Sequence, residues 1–309
     1  MKNKILNSGF GVGNLIFLAA LIIALPLRIY QYVGKVLEPG TGFFTDNHWS
    51  IYLLYGVIII SLAGIMLVGF IKRKELDFNT ESKKNPVLGI CSGLVAAGMI
   101  IDAYSCLDVL GTFKTNNFYN NISPERTSYY VILLQMAVSL IAALFFVILC
   151  IGSLTGKTSG TEYRIFSVIP VFWSILRMVA RFMRTISYVR VSELLFEMLM
   201  LMLMIMFFMA FAQCNSRVNE KDCQWKIAAY GLPAALMALL CSVPRIILSI
   251  LGSADIIYSE SIVEFSDLAV ALFIIAAVLT KVTVRSPEAA ATPEENETVE
   301  ASAEEITEE

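Results

Sequence analysis

Eight stretches of about 20 mostly apolar residues recur along the chain, separated by short polar segments. At 1.5 Å of rise per residue, a helix of about 20 residues crosses the roughly 30 Å of hydrocarbon in a bilayer. The stretches predict helices at roughly 12–33, 50–71, 88–111, 129–153, 165–186, 192–213, 227–251 and 262–281. The expected fold class is therefore an all-α integral membrane protein, with about eight transmembrane helices arranged as four tandem antiparallel hairpins. Residues 1–285 form the polytopic transmembrane domain in this reading.

The polar positions inside these stretches carry a longer period. Each odd-numbered helix holds an ionisable residue toward one end: Arg28 in LPLRIY, Asp102 in MIIDAY, Arg177 in SILRMV and Arg245 in SVPRII. They lie 74, 75 and 68 residues apart, and each even-numbered helix begins near a serine, Ser50, Ser128, Ser192 and Ser261. A fixed period of this size points to duplication of a two-helix unit. Units that cross the membrane twice keep one orientation, so they are expected to be parallel internal repeats.

Composition supports the membrane reading: 57% of residues are hydrophobic and 16% charged, against about a quarter charged in soluble domains. The net charge of −3 misleads, because nine glutamates and no Lys or Arg occupy residues 286–309, and the rest of the chain carries +6. That tail has too little apolar surface to order itself and is expected to be disordered and cytoplasmic. The Lys and Arg of the connecting segments are divided unevenly. One side carries fourteen (Lys2, Lys4, Lys72, Arg73, Lys74, Lys83, Lys84, Lys157, Arg164, Arg217, Lys221, Lys226, Lys281 and Arg285), the other only Lys35, Lys114, Arg126 and Arg190. The richer side is expected to face the cytoplasm, which puts both termini inside a plasma-membrane protein. The N-terminal run lacks a small-residue cleavage site and reads as a retained first helix.

Enzymatic chemistry finds little to stand on. A lone histidine, His48, cannot build a zinc site of two or three ligands. The six cysteines form no C-x-x-C pair and read as small apolar packing residues. The segment from Gly152 to Thr158, GSLTGKT, is one residue short of a phosphate-binding loop and leaves a helix rather than a strand. Ser92 in GICSG has no histidine at its depth to act with it. The methionine-rich run ELLFEMLMLMLMIMFFM spreads its thioethers around the helix, which suits adaptable packing better than a copper path. Arg177, Arg181 and Arg184 share one helix face, but they are too few, and two of them too readily paired, for a voltage sensor. No cofactor, metal or nucleic acid is expected as a partner.

The buried charges carry what functional content there is. In an antiparallel hairpin, facing residues have a nearly constant sum of positions about the turn. With turns near Val189 and Ile256, this rule pairs Arg181 with Glu197, Arg184 with Glu193 and Arg245 with Asp267 as structural ion pairs. Arg177 then faces Met200 and Leu201, Arg28 faces the region of Tyr55, and Asp102 faces apolar residues near Ala137. These three are expected to meet across hairpins with one positive charge in excess. One role for the cluster is a buried network that fixes how the hairpins assemble, as in a non-catalytic subunit or sensor. The other is an outward-facing cavity that binds, or carries, a small anionic or lipid-like ligand through the arginine forks.

Overall fold

The computed structural model describes residues 10–34, 36–37, 44, 48–78, 84–119, 126–156, 166–183, 191–216, 220–251 and 265–284. Eight helices lie among them: α1 (Gly11–Val33), α2 (Trp49–Ile71), α3 (Pro86–Tyr119), α4 (Arg126–Thr155), α5 (Ile169–Met183), α6 (Val191–Asn215), α7 (Glu220–Ile250) and α8 (Phe265–Lys281). The chain is an all-α membrane protein, its only described sheet a ribbon of two three-residue strands. Six helices are long and apolar enough to cross a bilayer: α1 and α2 over their whole length, and α3, α4, α6 and α7 over Pro86–Gly111, Tyr129–Thr155, Ser192–Asn215 and Cys223–Ile250. The other two expected spans, α5 and α8, are 15 and 17 residues long. Residues 286–309 and Arg184 lie outside the described residues.

Consecutive helices pack as four hairpins, α1 on α2, α3 on α4, α5 on α6 and α7 on α8. Further contacts between α4 and α5, α6 and α7, and α8 and α3 close α3–α8 into a ring of six. The α1–α2 hairpin lies against the outside of α7. Antiparallel strands β1 (Leu76–Phe78) and β2 (Val282–Val284) pair Leu76 with Val284, tying the end of α2 to the end of α8. This marks one face of the bundle as the ribbon end.

Why α7 takes the middle is written in its side chains. Ala228, Ala229, Ala234, Ala235 and Ala238 are all fully buried, and small residues let helix backbones approach closely in lipid. Its neighbours confirm the fit: a Cβ placed on Gly69 of α2 would sit 2.6 Å from the Ala229 Cβ. On the other side, Phe207 of α6 and Ile274 of α8 close over Gly231. Accordingly 67% of the α7 span is buried, against 22% for α2. Inside the ring the gaps are filled by aromatic edges, with Phe146 at 5.3 Å from Phe273 and 6.3 Å from Phe208.

Helix α5 has the opposite polarity to a helix of a soluble domain. It turns Phe172, Ile175, Val179 and Phe182 outward and buries Trp173, Ser174 and Arg177. In lipid this is the stable arrangement, because the polar face finds partners only inside the bundle.

One cysteine expectation needs correcting. Cys214 and Cys223 do not act only as packing residues; they form a disulfide across the α6–α7 connection, with Cα atoms 5.7 Å apart. Nine residues of separation carry no motif, and the packing of the end of α6 against the start of α7 brings them together. Cys91, Cys106, Cys150 and Cys241 form no disulfide.

Candidate functional site

At the end of the bundle opposite the ribbon, polar side chains from seven helices and a backbone carbonyl of α2 gather into one layer. Its strongest links are ion pairs. The Arg177 guanidinium of α5 grips both carboxylate oxygens of Asp267 in the first turn of α8, with Nη2 at 3.0 Å from Oδ2 and Nη1 against Oδ1. Both residues are buried. The acid also stands where the positive end of the α8 dipole favours it.

Next along the layer, Glu197 of α6 is shared by two arginines. Arg181 of α5 lies 3.4 Å from its Oε2, and Arg245 of α7 bonds its Oε1. Arg245 also lies 3.9 Å from Glu193, one helical turn earlier on α6. Pro244, immediately before Arg245, removes a backbone hydrogen bond inside α7 without ending the helix.

From Glu193 the layer passes to the outer hairpin. The Tyr32 hydroxyl donates to Glu193 at 2.7 Å and accepts from Arg28 at 3.1 Å. Arg28 donates as well to Gln31 at 3.0 Å, and the Gln31 amide donates to the Ser50 carbonyl of α2 at 3.1 Å. The Arg28 guanidinium lies 4.8 Å from the ring centres of both Tyr32 and Phe196, and Phe196 stacks on Tyr55 at 5.4 Å. Delocalised charge over aromatic faces partly replaces the water that burial removes.

Asp102 of α3 stands at the other extreme. Its Oδ2 accepts from the Ser139 hydroxyl of α4 at 3.0 Å and from the Trp173 indole of α5 at 3.3 Å. The same Trp173 ring lies 5.3 Å from the centre of the Arg177 guanidinium.

The layer rearranges the partners that hairpin geometry suggests. Arg181 and Glu197 come together as the depth rule has them. The expected Arg245–Asp267 pair does not form: Arg245 takes Glu197 and Glu193, and Asp267 takes Arg177. The cause is architectural, since the depth rule considers two helices at a time while α7 touches α1, α2, α6 and α8. Arg184 with Glu193 falls outside the described residues on the arginine side. Arg177 and Asp102 approach through a shared tryptophan, while Arg28 belongs to the far side of the layer.

The charge count changes too. Four arginines (Arg28, Arg177, Arg181 and Arg245) meet four acids (Asp102, Glu193, Glu197 and Asp267), so these described groups balance. The balance is uneven in space. Around α6, three arginines (Arg28 of α1, Arg181 of α5 and Arg245 of α7) face two glutamates, and Arg28 has no carboxylate within ion-pair distance among the described residues.

Four members of the layer escape a reading that follows charge alone: Gln31, Tyr32, Ser139 and Trp173. Three of them had a signal. Tyr32 lies four residues after Arg28, and Trp173 four before Arg177, a spacing that puts side chains on one helix face. Gln31, three residues after Arg28, shares that face as well, whereas Ser139 reaches across to another helix and has no such mark. No protein-family model, curated protein or solved structure matches this chain.

Proposed function

We propose that this is a non-enzymatic protein of the plasma membrane that binds, and carries, a small anion or the phosphate of a lipid head group, with Arg28 as the recognition element. The observation that supports this reading is the Arg28 guanidinium, buried with neutral acceptors and aromatic faces around it but no carboxylate at ion-pair distance among the described residues. A guanidinium in that setting is completed by an anion, which it can bind through two parallel hydrogen bonds. Tyr30, His48 and Trp49, with ring centres 6.0 and 5.5 Å apart in succession, lie close to the same end of the bundle. Aromatic residues of this kind favour the head-group level, where a lipid phosphate would be met. Arg177 fits a structural role better, because Asp267 already fills its fork.

The expected result is specific. Phosphatidic acid added to the purified protein should raise its melting temperature, and phosphatidylcholine should do so far less. Arg28→Gln should abolish the difference while keeping the fold. Arg28→Lys keeps charge but loses the planar fork, and should weaken the effect about tenfold or more in lipid concentration. An Arg28→Gln protein that still responds to phosphatidic acid as the wild type does would refute the assignment.

Orientation follows from the fourteen-to-four division of Lys and Arg, which puts the ribbon end and both termini in the cytoplasm. The Cys214–Cys223 disulfide also lies toward the ribbon end, where the cytoplasm would favour thiols. Both cysteines are buried, 2% and 1% exposed, and so shielded from soluble reductants; the charge asymmetry carries more weight. An impermeant thiol reagent applied to intact cells should label a cysteine placed at Gly40 or Thr115, but not one at Ser82. Labelling at Ser82 would invert the topology.

A further inference from the structure

We infer that the ribbon end of the bundle is a docking face for the chain's own acidic tail, residues 286–309, whose glutamates pair with Lys72, Arg73, Lys74 and Lys226. Arg28 and any anion it holds lie at the opposite end, so the two sites are independent.

The basic patch is built where two helix ends meet. Lys72, Arg73 and Lys74 follow α2 directly, and Lys226 lies near the start of α7, which packs against both α2 and β1. Phe70 and Trp225 join the two ends, with ring centres 5.9 Å apart in an edge-on contact. The Arg73 guanidinium lies 5.0 Å from the centre of the Phe70 ring, and the Lys226 ammonium 6.0 Å from that of Trp225. The rings hold both cations in place without neutralising them.

Acids are scarce around this patch. Among the described residues, Arg73, Lys74 and Lys226 make no ion pair, and Lys72 has only Glu75, at 3.8 Å. Glu75 is exposed, and an exposed pair of that kind is worth little. Arg73 and Lys74 are exposed as well. The segments at this end carry fourteen Lys and Arg against six acids, Glu75, Asp77, Glu81, Glu162, Glu220 and Asp222, a surplus of eight positive charges.

The tail has the complementary charge, and the ribbon brings the chain to the patch. Nine glutamates and no Lys or Arg nearly cancel the surplus. Val284 pairs with Leu76, which is two residues from Lys74. Glu288 comes four residues after Val284, at most about 14 Å of extended chain. Glu294 comes ten residues after Val284, an average reach of roughly 16–19 Å for a flexible segment. Tethering at this range gives the tail a local concentration on the order of millimolar. Anionic lipid is the competing occupant; the tether and the matched charge favour the tail.

A water-soluble carbodiimide tests the contact on the full chain in phosphatidylcholine nanodiscs. It joins a carboxyl and an amine in contact as an amide, and takes up the released water itself as a urea. Peptide mapping should find tail glutamates joined to Lys72, Lys74 or Lys226 within one chain. These links should be lost at about 1 M NaCl, where the screening length falls to about 3 Å. They should also be lost at Lys72 and Lys226 in the surface variant Arg73→Gln/Lys74→Gln, and a Glu-specific protease should then cut the tail severalfold faster. The wild-type map stands by itself if that variant does not fold. Links spread evenly over Lys157 and the patch lysines, with no salt dependence, would mean a roaming tail and overturn the inference. Links found only between isotope-labelled and unlabelled chains would overturn it in favour of a second copy. Loss of the links in phosphatidylglycerol nanodiscs at the same salt would overturn it in favour of anionic lipid.

Discussion

Replacing Asp267 by asparagine should cost about 3–5 kcal/mol of stability, because it strands the Arg177 guanidinium in the bundle. Asparagine keeps the size of the side chain and one acceptor, so cavity formation contributes little and the loss reports the missing charge. Arg177→Met should be comparably damaging for the mirror-image reason, leaving a buried carboxylate alone in the first turn of α8. The double variant Arg177→Met/Asp267→Leu removes both charges and should recover much of the loss, since the desolvation penalties vanish together. Unfolding by added denaturing detergent, followed by circular dichroism, gives the comparison. If each single variant and the double variant lose the same stability, the two residues are not coupled and the reading of the layer is wrong.

The layer also explains how much of the protein was legible from sequence. Apolar runs of membrane length identify helices almost regardless of context, because lipid leaves the backbone no partner but itself. Six of the eight helices follow from that constraint and the four sequential hairpins from short connections, while α5 and α8, at 15 and 17 residues, fall short of membrane length. Choice of partner is a different matter. Whether Arg245 meets Asp267 or Glu197 depends on which neighbour of α7 presents its acid at the right height, and α7 has four neighbours. The alanines that make α7 central are visible in the sequence, but no hydropathy pattern says which helices will fill the space they leave.

The same distinction accounts for Asp102 and Arg28. Each was legible as a charge without a partner in its own hairpin, and each remains outside an ion pair among the described residues. What sequence could not supply was their separation. They were expected to meet with Arg177, yet the layer puts Arg28 among aromatics at one extreme and Asp102 among neutral donors at the other. The pairing of Arg177 with Asp267 between them means that neither lone charge neutralises the other.

Glu197 is the position where a single substitution should do the most harm. It is the one carboxylate in the described layer that serves two arginines, Arg181 and Arg245, which come from the helices on either side of α6. Glu197→Gln preserves the side-chain length and can still accept from one of them, but it removes the negative charge between two buried guanidinium groups. Among the described residues the acids that remain are Glu193, 3.9 Å from Arg245, and Asp267, already held by Arg177. The expected loss is at the upper end of about 3–5 kcal/mol or beyond it, enough to prevent recovery of folded protein. Glu193→Gln is the informative control. It weakens a longer contact to Arg245 and a hydrogen bond from Tyr32, which should cost about 1–3 kcal/mol. Yield of monodisperse protein after detergent extraction, with unfolding midpoints where material permits, ranks the two. A Glu197→Gln protein as stable as Glu193→Gln would show that Glu197 does not hold α5, α6 and α7 together.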